Sequence, residues 1–187
     1  MAPKGPALEG TSRTGHPKCR TLTLNKRAKV VLYCAADTVL RSAKGKATRH
    51  LMHLGICTSD DFAQYPNGIT PDAAEQQLFT DAFKIAIFPM KFLVGVPLAQ
   101  KEFDALTDFT FNLGAGNSLE SLQRNRGLAS TTLLRVLNMG YYSAVPAEFE
   151  KFNQSGGVVI QALAKRRRDE ANLWITGVYR ANGKLIP

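Results

Sequence analysis

Two groups of residues in this chain carry types that could do chemistry. The first is His50-Leu51-Met52-His53 with Cys57 close by and Cys19 and Cys34 upstream. Zinc takes four nitrogen or sulfur donors, usually from closely spaced Cys pairs. No C-x-x-C is present and the spacings are irregular, so the sequence assigns no metal and no cofactor. The second group is Lys165-Arg166-Arg167-Arg168, four successive cations that suit phosphate or another polyanion. On a helix, four successive residues point to all sides. One arginine is therefore expected to pair with Asp104, Asp108 or Glu170, with the others solvated.

The charge around these groups is unevenly spread. The 187 residues carry a formal net charge of +9. Residues 1–57 hold eleven Lys and Arg against two acids, Glu9 and Asp37, and so contain the whole excess. Residues 58–187 hold thirteen of each sign. All ten Phe and the single Trp fall in the second part, and the first has one aromatic, Tyr33. A dense positive charge with one aromatic leaves little apolar surface to offset chain entropy. A boundary is therefore expected at 57/58. It separates a basic, atypical segment, disordered or a degenerate lobe, from a well-packed domain.

An excess of positive charge favours acidic partners: nucleic acid, anionic lipid or a polyanionic cell wall. Aromatics interleaved with the basic residues are missing, which excludes a stacking platform for specific nucleic-acid binding. No run of about 18 apolar residues exists, so no transmembrane segment is expected. Residues 1–8 lack the apolar core of a secretory signal. Three cysteines, an odd number, fit a reducing compartment.

The elements that would position a site are mostly helices. Thr70-Pro71-Asp72 offers an N-cap, a proline at the first helical position and an acid at the positive end of the dipole. The helix carries Leu78, Phe79, Ala82, Phe83 and Ala86 and is predicted to stop at Pro89. A second helix is predicted over 99–113, ended by Gly114-Ala115-Gly116. A third is capped by Ser130 or Thr131 and closed by Gly140. A fourth covers 142–152. Ser155-Gly156-Gly157 breaks the chain, and a fifth helix is predicted over 158–174 with Trp174 buried. Strand signals are weak, so 58–187 reads as an all-α bundle with short connections.

Five blocks in order carry a family resemblance. They are Pro66-Asn67-Gly68-Ile69-Thr70, Val96-Pro97-Leu98-Ala99-Gln100-Lys101-Glu102-Phe103-Asp104-Ala105-Leu106, and Phe109-Thr110-Phe111-Asn112-Leu113-Gly114-Ala115-Gly116. Then come Ser130-Thr131-Thr132-Leu133-Leu134-Arg135-Val136-Leu137-Asn138 and Phe152-Asn153-Gln154-Ser155-Gly156-Gly157, the last continuing to Arg166-Arg167-Arg168, Glu170 and Leu173-Trp174. Over residues 58–174 the chain resembles the phage endolysin lysozymes. The resemblance implies an α+β, lysozyme-like fold, with a helical lobe packed on a small N-terminal lobe. It also implies a monomeric muramidase that cuts the β-1,4 bond between N-acetylmuramic acid and N-acetylglucosamine in bacterial peptidoglycan. Such an enzyme is made in the host cytoplasm and acts on the wall after release. The resemblance places Phe111, Asn112 and Asn153 at substrate-contacting positions.

Glycoside hydrolysis needs a carboxylic acid to protonate the leaving oxygen and a second group for the water or the developing cation. In the family the acid is a Glu in an E-G dipeptide, followed nine residues later by Asp or Cys and six further on by Thr. Glu9-Gly10 is the only such dipeptide, which makes Glu9 the candidate acid. Lys18 and Leu24 stand at the follower positions, and Cys19 and Thr23 miss them in opposite directions. Two readings account for the departure. Either the N-terminal lobe is degenerate, leaving a non-catalytic peptidoglycan- or partner-binding relative, or the region before Thr58 is read out of frame.

Overall fold

The computed structural model describes residues 71–116, 126–181 and 184–186. Glu9, Asp37, the histidines, the cysteines, the Thr70 cap and the 57/58 boundary lie outside these residues.

The first element is one helical rod. α1 (Pro71–Ala82) runs through a π-helical turn, Phe83–Ile87, into α2 (Phe88–Leu93). The rod does not stop at Pro89, which occupies the first turn of α2 and is buried. Proline lacks an N–H, and its ring clashes with the carbonyl four residues back in an α-helix. The π turn widens the ladder just before it, with the Phe88 N–H reaching back five residues to the Phe83 carbonyl. The helix therefore accommodates the proline instead of ending.

α3 (Gln100–Leu113) is the central element, and its residues from Glu102 to Phe111 are all buried. Its start is held by Glu102, whose Oε2 accepts the Ala99 N–H at 2.9 Å. A 3₁₀ turn, Leu128–Ser130, leads to α4 (Thr132–Asn138). Of the two candidate caps for α4, Thr131 is the one used: its Oγ1 accepts the Leu134 N–H at 3.1 Å. A second 3₁₀ turn, Tyr142–Ala144, precedes α5 (Val145–Glu150), with Pro146 in the first turn.

Residues 158–160 are not helical, contrary to the expectation. β1 (Gln154–Ser155) and β2 (Val158–Val159) form an antiparallel hairpin pairing Gln154 with Val159 and Ser155 with Val158. Gly156 and Gly157 turn the chain with φ of 58° and 80°. Two successive positive φ angles make the tight hairpin turn that matches strand twist, and the β-branched pair after it suits a strand. α6 (Gln161–Thr176) starts later and ends later than predicted, and Gly177 closes it in the left-handed conformation. A second hairpin, β3 (Arg180–Ala181) with β4 (Lys184–Leu185), follows. The described residues are thus mostly helical with two small hairpins, an α+β arrangement.

α6 packs against both α3 and α5. Phe109 meets Phe149 edge-on at 5.1 Å, and Phe149 meets Trp174 at 5.9 Å. Trp174 is buried as expected, and its Nε1 donates to the Tyr142 carbonyl at 3.2 Å.

The chain on either side of residues 117–125 is clamped. Leu128 and Ala129 donate to the Gly114 and Ala115 carbonyls, both at 2.9 Å. A Cβ on Gly127 would stand 2.4 Å from the Gly116 nitrogen, and Gly127 has φ of 79°. Gly127→Ala is therefore expected to cost roughly 1–3 kcal/mol by overpacking and backbone strain. Urea titration checks this, and an unchanged midpoint would show that the clamp yields easily.

Candidate functional site

The contact between α3 and α6 is built on charge. Arg166 and Arg167 are neighbours in the chain and so point about 100° apart around the helix. Arg166 forks onto Asp108 of α3, with Nη2 to Oδ1 at 2.7 Å and Nε to Oδ2 at 3.2 Å. It also lies 3.4 Å from Glu170. Burial alone would lower its pKa, but the flanking carboxylates raise it overall.

Arg167 turns inward and is only 2% exposed. Its Nη1 donates to both carboxylate oxygens of Glu170 at 2.6 Å. Its Nε donates to the Phe152 carbonyl at 3.0 Å, and its Nη2 to Asn112 Oδ1. The guanidinium lies over the Phe109 ring, 4.7 Å from the centroid. One side chain thus ties α6 to α3 and to the segment leading into β1.

Two arginines are paired, not one as the sequence led us to expect. The i,i+3 step from Arg167 to Glu170 and the reach of Arg166 across to Asp108 use different faces of α6. Lys165 and Arg168 remain exposed, flanking an open groove of ≈ 410 Å³ on the outer side of the helix.

The structure brings Asn112, one of the expected contact residues, to Arg167. Arginine has donors only, so the oxygen of the Asn112 amide must face it. The Asn112 Nδ2 is then left as a donor, on a half-buried side chain. Asn153 is half-buried beside Phe152, and its carbonyl accepts the Ile160 N–H at 2.9 Å. Phe111 lies apart from them in the apolar core, 5% exposed. Asn112 and Asn153 stood out in sequence only through the resemblance. Arg167, which holds Asn112 Oδ1 and the Phe152 carbonyl, was missed. The three-residue spacing to Glu170 was its only signal there.

Burial pushes the Glu170 carboxyl up to about 8, with the nearby Asp108 adding to the rise and the two arginines opposing it. A carboxyl protonated in the folded chain but ionised in the unfolded one loses stability as pH rises between its two pKa values. Here the window runs from 4.5 to about 8. The melting temperature is expected to fall across it, and Glu170→Gln to flatten the fall. Calorimetric melts of both proteins through that window test this. Parallel curves would assign the pH dependence to other groups.

The family model described as phage lysozyme matches residues 36–170. The chain belongs to the phage lysozyme family. The match starts upstream of the compositional step at 57/58 and ends at Glu170. Among relatives of this phage-lysozyme chain, the endolysin of Bacillus phage B103 is 34% identical over 113 residues, 60% of this chain and 39% of that protein. The endolysin of Bacillus phage PZA is 38% identical over 82 residues, 44% of this chain and 28% of that protein. The matched part thus spans well under half the length of these curated relatives. The solved endolysin of Escherichia coli O157:H7 phage FAHEc1 superposes with a TM-score of 0.59 at 19% identity, covering 86% of this chain and 98% of that one. At that identity the likeness shows the fold, which is lysozyme-like.

Proposed function

We propose that this chain is a peptidoglycan muramidase of the endolysin type, hydrolysing the β-1,4 bond between N-acetylmuramic acid and N-acetylglucosamine. The observation that carries the reading is the phage lysozyme family match over residues 36–170. The cluster around Arg167 supports it from the structural side. Asn112 presents an N–H donor suited to an acetamido carbonyl or a hydroxyl of a glycan, and Arg167 fixes which way that amide faces. Asn153 is the second contact.

Glu9 is the one candidate for the acid ahead of residue 75, since residues 10–74 contain no Glu. Glu102 is committed elsewhere, because its carboxylate closes the start of α3. The enzyme works as a monomer, is made in the bacterial host's cytoplasm and reaches the wall after release. No helix among the described residues is long and apolar enough to cross a membrane.

The decisive experiment is digestion of purified sacculi followed by analysis of the soluble products. Fragments with new reducing N-acetylmuramic acid ends support the proposal. Binding to sacculi without release of fragments would establish the second reading, a non-catalytic wall-binding relative. That reading rests on the run Thr11-Ser12-Arg13-Thr14-Gly15, which offers no apolar residue with which a helix carrying an acid at Glu9 could dock.

A further inference from the structure

Two of the four successive cations on α6 have no part in the cluster that holds it to α3. Arg166 and Arg167 are taken up by Asp108, Glu170, Asn112 and the Phe152 carbonyl. Lys165 and Arg168 are exposed, and neither pairs with a described residue. Both line the groove on the outer side of the helix, together with Asn172 and Thr176. Residues 165, 168, 172 and 176 fall on one side of a helix with 3.6 residues per turn. The helical wall of the groove is therefore about 16 Å long at 1.5 Å per residue.

The chain after α6 supplies the facing wall, with Val178 and Arg180. Thr176 Oγ1 joins the two walls: it donates to the Asn172 carbonyl at 2.7 Å and accepts the Val178 N–H at 3.1 Å. Its proton is thus committed, and the side-chain donors left for a ligand are the Lys165 ammonium, the Arg168 guanidinium and the Asn172 amide. Asp169 also lines the groove. Asp169 and Arg180 are each engaged in interactions of their own and offset one another in charge. The charge the groove offers to a ligand is that of Lys165 and Arg168.

We propose that this groove holds a stretch of a phosphodiester polymer, a polyol-phosphate chain of the bacterial wall. That the polymer belongs to the wall rests on the muramidase reading; the fit of a phosphodiester to the groove does not. A carboxylate has both oxygens in one plane, and a single guanidinium fork saturates it. A phosphodiester holds two free oxygens at a tetrahedral centre. One turns to the Arg168 fork and the other to the Lys165 ammonium, a point charge that demands no plane. The two ester bonds leave on the other sides, so the polymer continues along the groove to the Asn172 amide. Val178 is the one apolar residue among the described residues of the lining, too little surface for an acyl chain. No aromatic stands among them for a nucleic-acid base to stack on.

The test is calorimetric titration of the full chain with poly(glycerol phosphate), and separately with polyglutamate and duplex DNA at equal charge. Residues 1–57, with a net charge of +9, attract every polyanion, so each variant is judged against a charge-matched control. The variant K165S/R168S is expected to bind poly(glycerol phosphate) roughly tenfold more weakly, through loss of two exposed charge contacts. The control K84S/R135S removes the same charge from exposed positions elsewhere and is expected to bind close to the parent. Asn172→Asp keeps both cations, sets a carboxylate in the groove and is expected to weaken binding as well. Absence of binding by the parent, equal losses in the two double variants, or no effect of Asn172→Asp overturns the proposal. An equal loss of polyglutamate binding in K165S/R168S also overturns it, by showing a groove that reads charge and not phosphate. So does a larger loss of DNA binding, which would make the groove a nucleic-acid site. Hydrolysis is read in none of these titrations, so a chain that binds the polymer without cutting glycan fails the muramidase reading alone.

Discussion

Above about pH 8, where Glu170 is ionised, Arg167→Met is expected to cost roughly 3–5 kcal/mol of folding stability, because it removes one partner of a buried ion pair and leaves the other in place. Methionine keeps much of the apolar stem over Phe109, so the loss reports mainly on the guanidinium. Of its two arginines, Glu170 would retain only Arg166, at 3.4 Å. The Phe152 carbonyl and Asn112 Oδ1 would lose the donor they share. The cost is expected to be largest above about pH 8, where Glu170 carries its charge. Lysine should not restore stability, because one ammonium cannot reproduce a planar fork serving three acceptors at once. The double variant Arg167→Met with Glu170→Leu should lose less than the two single variants together, since it leaves no buried charge behind. Urea titrations of the four proteins above about pH 8, where Glu170 is ionised, measure this. A single-variant loss below about 1 kcal/mol, the range of an exposed pair, would show that the cluster does not hold α3 to α6.

Muramidase activity at least roughly 10²-fold below that of a family member with the intact E-G motif is the second expected result, with near-complete insensitivity to Glu9→Gln. A positioned general acid supplies roughly 10²–10⁴ in rate, and only from a rigid element facing the scissile bond. The five residues from Thr11 to Gly15 provide no apolar anchor for such an element. Turbidity loss of permeabilised Gram-negative cells, followed for the parent chain and the variant, measures both quantities. Strong lysis abolished by Glu9→Gln would show that Glu9 is the acid and that the chain around it folds to position it. Strong lysis untouched by the substitution would move the acid elsewhere, with Glu75 the next to replace.

How much was legible beforehand differs between the fold and the site. The helices over 100–113 and 132–138 were readable because local chemistry specifies them. Each has an apolar stripe at helical spacing, a start signal and a glycine near its end. Pro89 misled because its usual effect is local, whereas the π turn that absorbs it belongs to a long rod buried along one side. Residues 158–160 misled because a short apolar run fits a helix or a strand equally well. The positive φ angles of Gly156 and Gly157, set by the hairpin, decide between them.

By itself the sequence determined the family, the order of the helical blocks, the burial of Trp174 and the segregation of charge into residues 1–57. These depend on residue type and spacing along the chain, which need no partner in space. Only the tertiary structure decided which charges meet. Arg166 and Asp108 are 58 residues apart, and Asn112 and Arg167 are 55 apart. Nothing in four successive cations says which of them faces solvent and which enters the core. That choice follows from the rotation of α6 against α3. The rotation is set by how Phe109, Phe149 and Trp174 pack, and it places Arg167 over Phe109 with Glu170 one turn along the same face.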